Sequence, residues 1–360
     1  MRILVLSWKD TTHPAAGGAE VYTREISRAW AALGHDVTWF CAAVEGQPAE
    51  EVRDGVRVLR RGGRFGVFAA ARRWYGREGY GRFDIVVDEV NTRPFLAPRW
   101  AAGTPVVALI FQVCREIWSF EMPAPLALLG RHVLEPHWLR LYRDVPTLTI
   151  SESSRASLFN YGLRQIEVVG VGVPALRRPD VGREAVPTLL FVGRLADNKR
   201  PSAAVEAFSL LRDRMPDARL WVVGDGPDRL RLAAAAPPGV TFFGRVNEEA
   251  KQQVMARAHA LVVTSVREGW GLVVDEAAAM GTPSIGYDVP GLRDSIEAAG
   301  GVLVAPAPSE LADAIAKHLP TWTAEPAEQG WQGGATSWVA VADEILHALQ
   351  RVTHLTTSGV

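Results

Sequence analysis

The sequence predicts two α/β domains, each a parallel sheet flanked by helices, facing a central cleft. Three observations carry that expectation. The chain has 360 residues, too many for one ordinary domain and comfortable for two. Short apolar runs alternate with helix-period stretches along its length, the pattern of stacked βαβ units. Near the middle, residues 170–187 (G-V-G-V-P-A-L-R-R-P-D-V-G-R-E-A-V-P) break that rhythm with Pro, Gly and Arg and little periodicity. The expected division is a first domain over 1–172, a linker over 173–187, a second domain over 188–335 and a C-terminal helical segment over 336–360.

In the first half, apolar runs predict strands near Arg2–Leu6, Asp36–Cys41, Val56–Leu59, Phe83–Val87, Pro105–Phe111, Thr147–Ile150 and Glu167–Val169. Helices are expected near Ala19–Leu33, Val67–Tyr75, Ala124–Tyr142 and Ser153–Tyr161. The first strand is followed by a long loop that ends at a helix start, Pro14-Ala15-Ala16-Gly17-Gly18-Ala19-Glu20. The alternation restarts after the linker. Strands are expected near Thr188–Val192, Arg219–Val223, Val240–Phe243, Ala260–Val263, Ser284–Gly286 and Val302–Val304. Helices are expected near Pro201–Met215, Asp228–Ala234, Glu248–Arg257, Leu272–Met280, Gly291–Ile296 and Ser309–Leu319. Val205, Phe208 and Leu211 make a core-facing stripe on the first of these. Pro320 to Ser337, with Trp322 and Trp331, reads as irregular, Trp338–Val352 as a last amphipathic helix, and the tail T-T-S-G-V as frayed.

Composition narrows the function classes. Hydrophobic residues make up 48% and charged residues 22%, a globular balance, and the net charge of -1 offers no global field to recruit nucleic acid or a membrane. The two cysteines, Cys41 and Cys114, form no C-x-x-C pair, which argues against a disulfide framework or zinc site and fits a reducing cytoplasm. The N-terminal M-R-I-L-V-L-S reads as a strand rather than a signal peptide, and no 18-residue apolar run is present. The expected location is cytoplasmic, with contact at the inner membrane face only as a peripheral option. Lysine is scarce, at 9, 199, 251 and 317 only, so each lysine is conspicuous.

The most informative stretch is Arg267 to Pro283, R-E-G-W-G-L-V-V-D-E-A-A-A-M-G-T-P. It follows the buried run Ala260–Val263, carries the turn Glu268-Gly269-Trp270-Gly271, and enters a short helix that stops at Gly281 and Pro283. A glycine turn opening a helix after a strand binds anions, because free N–H groups and the positive helix end face one point. Glu268 and Glu276 frame it. Upstream, F-V-G-R-L-A-D-N-K-R places Arg194 and Lys199 in a strand-to-helix loop, where two cations can neutralise a diphosphate. A solvated basic loop is the plain alternative for that segment alone.

Together, G-R-L-x-x-x-K and, some 70 residues later, E-G-W-G-L-x-x-x-E-A-x-A-x-G-x-P resemble family 4 of the retaining glycosyltransferases, which have the GT-B fold of two Rossmann-like domains. Gly17-Gly18-Ala19-Glu20 resembles that family's N-terminal glycine loop, and V-G-D-G-P and F-F-G-R-V lie where it has strand ends. The resemblance covers most of residues 1–320. It implies transfer of a sugar from a nucleoside diphosphate, UDP first and GDP next, to a hydroxyl on a small-molecule, lipid or glycan acceptor. No cofactor is expected beyond the donor substrate, and no metal, since no D-x-D is present and the two cations and the helix end can substitute for one. Arg194 and Lys199 would hold the diphosphate, and the Gly269, Trp270, Gly271 and Leu272 stretch would contact phosphate and sugar. Glu276 would bind ribose hydroxyls, and Glu268 would lie by the transferred sugar. Gly18 would bring its N–H to the diphosphate from the first domain, with Gly17 beside it in the donor-binding loop, and Val246 would hold the base through its backbone. The last helix would cross back to the first domain. Front-face attack, with the leaving phosphate as base, is expected over a covalent intermediate on Glu268.

The chain departs from the family in one respect. Relatives often carry a His after the strand expected at Pro105–Phe111, and here Gln112 takes the slot, a hydrogen-bonding group that cannot change charge near neutral pH. His13 is a further sugar or acceptor candidate, with a plain loop histidine as the alternative. The arginines of 57–82, interleaved with Phe65, Phe68, Trp74 and Tyr80, read as a solvated face, with a membrane or acidic-acceptor patch as the other option. An NDP-sugar epimerase of the same fold and a catalytically idle binding relative stand as competing functions. A nicotinamide enzyme is weaker, since Gly224-Asp225-Gly226 lacks the third glycine of the dinucleotide fingerprint.

Overall fold

A computed structural model describes residues 1–173, 176–324 and 336–357. Trp331, most of the stretch expected to be irregular, and tail residues 358–360 lie outside the described residues. The chain divides into two compact units. One comprises Met1–Arg115, Ala124–Pro174 and Thr336–Val360, and the other Glu116–Pro123 and Ala175–Ala335.

The first unit opens with β1 (Arg2–Leu6), α1 (Gly18–Ala32), β2 (Asp36–Cys41), β3 (Glu50–Arg53) and β4 (Val56–Arg60). Next come α2 (Val67–Trp74), β5 (Ile85–Glu89) and β6 (Val106–Leu109). The sheet order is β3-β4-β2-β1-β5-β6, continuing to β7 (Thr147–Thr149) and β8 (Ile166–Val168). Every pairing in it is parallel except β3 with β4. β1 is buried from Ile3 on, because helices cover both faces of a parallel sheet and leave no polar side to alternate with. β3 is a difference from expectation. Its sequence, E-E-V-R, has no apolar run, and it adds as a charged antiparallel edge, which discourages further pairing.

The helix expected over Ala124–Tyr142 is broken into segments. After α3 (Trp118–Glu121), which is grouped with the second unit, α4 (Ala124–Leu129) passes through a π-helical turn, Gly130–Leu134, into α5 (Glu135–Arg140). The extra residue of a π turn lets Gly130 and Glu135 both face the interior. α6 (Glu152–Asn160) is capped by Ser151, whose side chain accepts from the Ser154 N–H at 3.2 Å.

The second unit runs β9 (Thr188–Val192), α7 (Pro201–Arg212), β10 (Arg219–Val223), α8 (Arg229–Ala235), β11 (Val240–Gly244) and α9 (Glu248–Arg257). It continues with β12 (Ala260–Val263), α10 (Leu272–Ala279), β13 (Ser284–Tyr287), α11 (Leu292–Ala298), β14 (Val302–Val304) and α12 (Pro308–Ala324). Its sheet is parallel throughout, in the order β11-β10-β9-β12-β13-β14. Val205, Phe208 and Leu211 do face the core, packed with Leu189, Phe191 and Leu220. α12 runs past Pro320, where irregular chain was expected. Fully buried Leu319 and core-packed Trp322 hold it there, and Thr323 Oγ1 donates to the Leu319 carbonyl at 2.7 Å.

The last helix, α13 (Trp338–Thr357), packs on α1 of the first unit. Trp30 Nε1 donates to the Ala342 carbonyl at 2.8 Å, and Trp338 meets Tyr22 edge-on at 5.2 Å. Residues 176–187, expected as a linker, are fastened to the second unit. Arg178 donates to the Met280 carbonyl at 2.9 Å, and Arg183 to those of Trp322 and Gly281 at 2.6 Å each. Cations suit these sites because the last carbonyls of a helix lack partners within it. Among the described residues, no helix is long and apolar enough to cross a membrane.

Candidate active site

In the second sheet the chain runs outward from β9 through β10 to β11, then returns to add β12 on the other side of β9. Such a reversal leaves a crevice at the carboxyl ends of the two strands that flank it. The loops leaving β9 and β12 hold Arg194, Lys199 and Glu268, and they are stitched together. Val266 N–H donates to the Asn198 carbonyl at 3.0 Å. The buried Thr264 hydroxyl lies 3.0 Å from the Lys199 carbonyl and 2.8 Å from that of Arg200. Arg200 is a non-glycine residue in the left-handed region, at φ 48°, and the Thr264 clasp holds it there.

The Lys199 ammonium forms an ion pair with Glu268 Oε1, and Ser265 Oγ donates to the same oxygen at 2.7 Å. Glu268 Oε2 has no partner among the described residues. Arg194 is exposed, and its guanidinium makes no hydrogen bond or ion pair with them, while its carbonyl accepts from the Ala196 N–H at 3.0 Å. Arg267 Nε, just before the turn, donates to Glu116 Oε2 at 2.7 Å, which ties the turn to the segment 116–123 of the same unit. Glu268 N–H donates to the Pro290 carbonyl at 3.1 Å. Gly291 follows at φ 83°, and a Cβ there would sit 2.0 Å from the Glu268 carbonyl oxygen. Gly291 thus positions the Glu268 turn, a role the sequence marks only faintly. Its signal was the Pro-Gly pair that opens a helix.

Gly271 caps α10 in the left-handed region, at φ 103°, a conformation that favours glycine. The N–H groups of residues 269–273 make no backbone hydrogen bond among the described residues, and they gather at the positive end of α10. Trp270 Nε1 donates to Asp275 Oδ2 at 2.5 Å. Burial pushes the Asp275 carboxyl up to about 7, and the indole bond works against that rise. Burial also raises the Glu276 carboxyl above its ordinary value, opposed by Lys251, whose Nζ lies 3.0 Å from Glu276 Oε1 and 2.8 Å from Glu248 Oε2. Burial alone would lower Lys251, but Glu276 and Glu248 outweigh it and the ammonium is held above its usual range.

Lys251 went unnoticed as a site residue in the sequence, although lysine is scarce there. Replacing it with Met is expected to lower stability by about 1–3 kcal/mol, because a half-buried carboxylate loses its charged partner. Urea unfolding of Lys251→Met and of the Lys251→Met, Glu276→Gln double variant checks this, and the double variant should recover part of the loss.

Val246 lies beyond the end of β11, half-buried against the core that holds Trp221 and Val223. Gly17, Gly18, His13 and Gln112 belong to the first unit. Gly17 is the N-cap of α1, and its N–H donates to Glu20 at 2.6 Å, half of a capping box. His13 Nδ1 accepts from the Ala15 N–H at 3.0 Å, and the ring meets Trp8 edge-on. Burial and then Lys9 lower its pKa, and a neutral ring accepting at Nδ1 carries its proton on Nε2. Gln112 Oε1 is buried without a hydrogen-bond partner among the described residues. Among these residues no group of three or more His, Cys, Asp or Glu side chains is arranged to hold a metal ion.

Two family profiles match the sequence. One, described as Glycosyltransferase Family 4, covers residues 16–175, and the other, described as Glycosyl transferases group 1, covers 186–320. A glycogen synthase from Mycobacterium tuberculosis is 27% identical over 340 residues, spanning 82% of this chain and 80% of the relative. Among solved structures, a sucrose-phosphate synthase from Thermosynechococcus elongatus superposes with a TM-score of 0.76 at 20% identity, over 98% of this chain and 99% of the other. HepE from Anabaena, in complex with UDP and glucose, has a TM-score of 0.69 at 18% identity, over 98% and 100% of the two chains.

Proposed function

Because the chain belongs to glycosyltransferase family 4 and has the GT-B architecture, we propose that it moves a hexose from a UDP-sugar to a hydroxyl acceptor with retention of anomeric configuration. The observation that carries the donor reading is the meeting of Lys199, Glu268 and the N–H groups of residues 269–273, unbonded among the described residues, at the carboxyl ends of β9 and β12. A leaving diphosphate gathers negative charge in the transition state. Fixed N–H groups and cations in a crevice stabilise it without reorganising. Lys199 and exposed Arg194 supply the cations, and the α10 turn supplies the N–H groups. Glu276, held by Lys251, accepts from ribose hydroxyls, and the backbone at Val246 meets the base. The Gly17–Gly18 loop is assigned to the diphosphate on family resemblance, through the Gly18 N–H, since that of Gly17 is held by Glu20.

Glu268 suits a sugar hydroxyl better than a glycosidic carbon. Its Oε1 is taken by Lys199 and Ser265, and a carboxylate so neutralised is a poor nucleophile. Its Oε2, without a partner among the described residues, can accept from a hydroxyl. In the proposed step the bond from the anomeric carbon to the phosphate oxygen breaks. The acceptor oxygen bonds to the same face, and its proton passes to the leaving β-phosphate. The ligand of HepE makes UDP the first nucleotide to test.

Thermal unfolding with UDP, GDP, ADP and dTDP, on the wild type and Glu276→Ala, tests the donor site. Ligand at 100 times its dissociation constant should stabilise the wild type by roughly 2.7 kcal/mol and the variant far less. If no nucleotide shifts either protein at millimolar concentration, the donor site is misassigned. The anomeric configuration of the product, read by proton NMR, decides retention. The acceptor is proposed only as a hydroxyl carrier, with small-molecule, glycan and lipid acceptors to be compared in parallel.

A further inference from the structure

The first sheet also reverses direction, between β1 and β5. A cluster of buried ionisable side chains sits at the carboxyl ends of those two strands. Glu20 and Glu89 are 0% and 1% exposed. Asn91 Nδ2 lies 3.4 Å from Glu20 Oε1 and 3.2 Å from Glu89 Oε1, so one amide bridges both carboxyls. Lys9 Nζ is 3.3 Å from Glu20 Oε1 and donates to the Ala15 carbonyl at 2.6 Å. Thr23 Oγ1 donates to Glu89 Oε2 at 2.7 Å. Glu20 in turn accepts the Gly17 N–H. Lys9 and Glu20 therefore grip both sides of the glycine loop, at Ala15 and at Gly17.

We propose that Lys9, Glu20, Glu89 and Asn91 are positioning residues for the Gly17–Gly18 loop, and that the cluster works with one proton shared between its two carboxyls. The inference rests on the reading that this loop contacts the donor diphosphate. Charge counting supports the proton. Two buried carboxylates facing one ammonium would leave a net buried negative charge, which a low-dielectric interior disfavours strongly. The groups around Glu89 are Glu20 and Thr23 from α1, Ser7 and Lys9 from the end of β1, and Asn91 beyond its own strand. Across on β6 it pairs with apolar Leu109, and His13, in the Lys9 loop, is neutral. Burial first, and then Glu20, push Glu89 up to about 8. Once that proton is lost, the two carboxylates repel and Lys9 is drawn between them, away from Ala15.

The folded state keeps a proton that the unfolded chain releases, so Glu89 makes stability fall as pH rises from 4.5 to about 8. Three measurements on the full-length protein test the cluster. Carbon-13 NMR of the wild type should show one glutamate carboxyl titrating near pH 8 that is missing in Glu89→Gln. The melting temperature of Glu89→Gln should depend less on pH across that window. The wild-type KM for a UDP-sugar should rise about 10-fold above pH 8, as one charge-assisted contact is lost, and stay flat in Glu89→Gln. If Glu89→Gln does not fold, Thr23→Val replaces it and should move the wild-type titration higher. The proposal is overturned if no glutamate carboxyl titrates above pH 6, or if Glu89→Gln keeps the alkaline rise in KM. A titration near pH 8 with a flat KM in both proteins overturns the positioning role, while nucleotide-induced stabilisation would leave the donor site of the second unit standing.

Discussion

Lys199→Met should lower kcat/KM for the donor sugar by about 10²–10³-fold, the usual cost of removing one preorganised group from a developing negative charge. The loss should fall mainly on kcat if Lys199 meets the leaving phosphate late, because charge grows there only as the glycosidic bond breaks. The same change frees Glu268 Oε1 of its ammonium and leaves it the Ser265 hydroxyl. A sugar donor with a better leaving group should therefore recover much of the lost rate. Lys199→Arg should recover little, because Thr264 fixes the carbonyl of residue 199 and a longer, planar fork cannot take the place of a compact ammonium. Steady-state kinetics on both variants, with UDP affinity measured separately, check this. An unchanged kcat in Lys199→Met would remove Lys199 from the chemistry.

Gly291→Ala should be a severely damaging small substitution near the site. The residue is left-handed, which costs a residue with a Cβ about 1–2 kcal/mol. Its added methyl would also meet the Glu268 carbonyl 2.0 Å away, where backbone rather than a flexible side chain must move. We expect a loss of about 2–4 kcal/mol in unfolding free energy, together with loss of activity in whatever fraction stays folded. Ala298→Gly, at the far end of the same helix, serves as a control and should cost under about 1 kcal/mol, with activity kept. Full activity in folded Gly291→Ala would show that the position of the Glu268 turn does not matter.

These two residues also mark what could be read from the chain. Lys199 and Glu268 were legible because each follows an apolar run that can only be a buried strand, and because a Gly-rich turn into a helix is a local signal. The same locality gave both sheets and most helices. Gly291 and Lys251 were not legible, because their importance lies in what they touch. Gly291 meets a carbonyl 23 residues back, and Lys251 reaches a carboxylate 25 residues on. The pairing of Arg267 with Glu116 spans 151 residues and is invisible to any window. β3 was missed because a charged edge strand has no apolar face to reveal it. The break at Gly130–Leu134 was missed because the apolar pattern of residues 124–142 suits one continuous helix as well as a π turn. Glu20 and Glu89 each read as ordinary residues, one at a helix start and one at a strand end, and only the parallel register of β1 with β5 makes them neighbours.

The fastening of Arg178 and Arg183 to the end of α10 bears on how the chain can be cut. Both guanidiniums cap carbonyls of Met280 and Gly281, at the opposite end of the helix that opens on the turn of residues 269–271. The helix is thus braced behind by a segment that precedes the first strand of its own sheet. The second unit, separated from the rest, must keep its leading segment from residue 176 onward. Trimming it to the start of β9 would leave those carbonyls bare and loosen the turn at the other end.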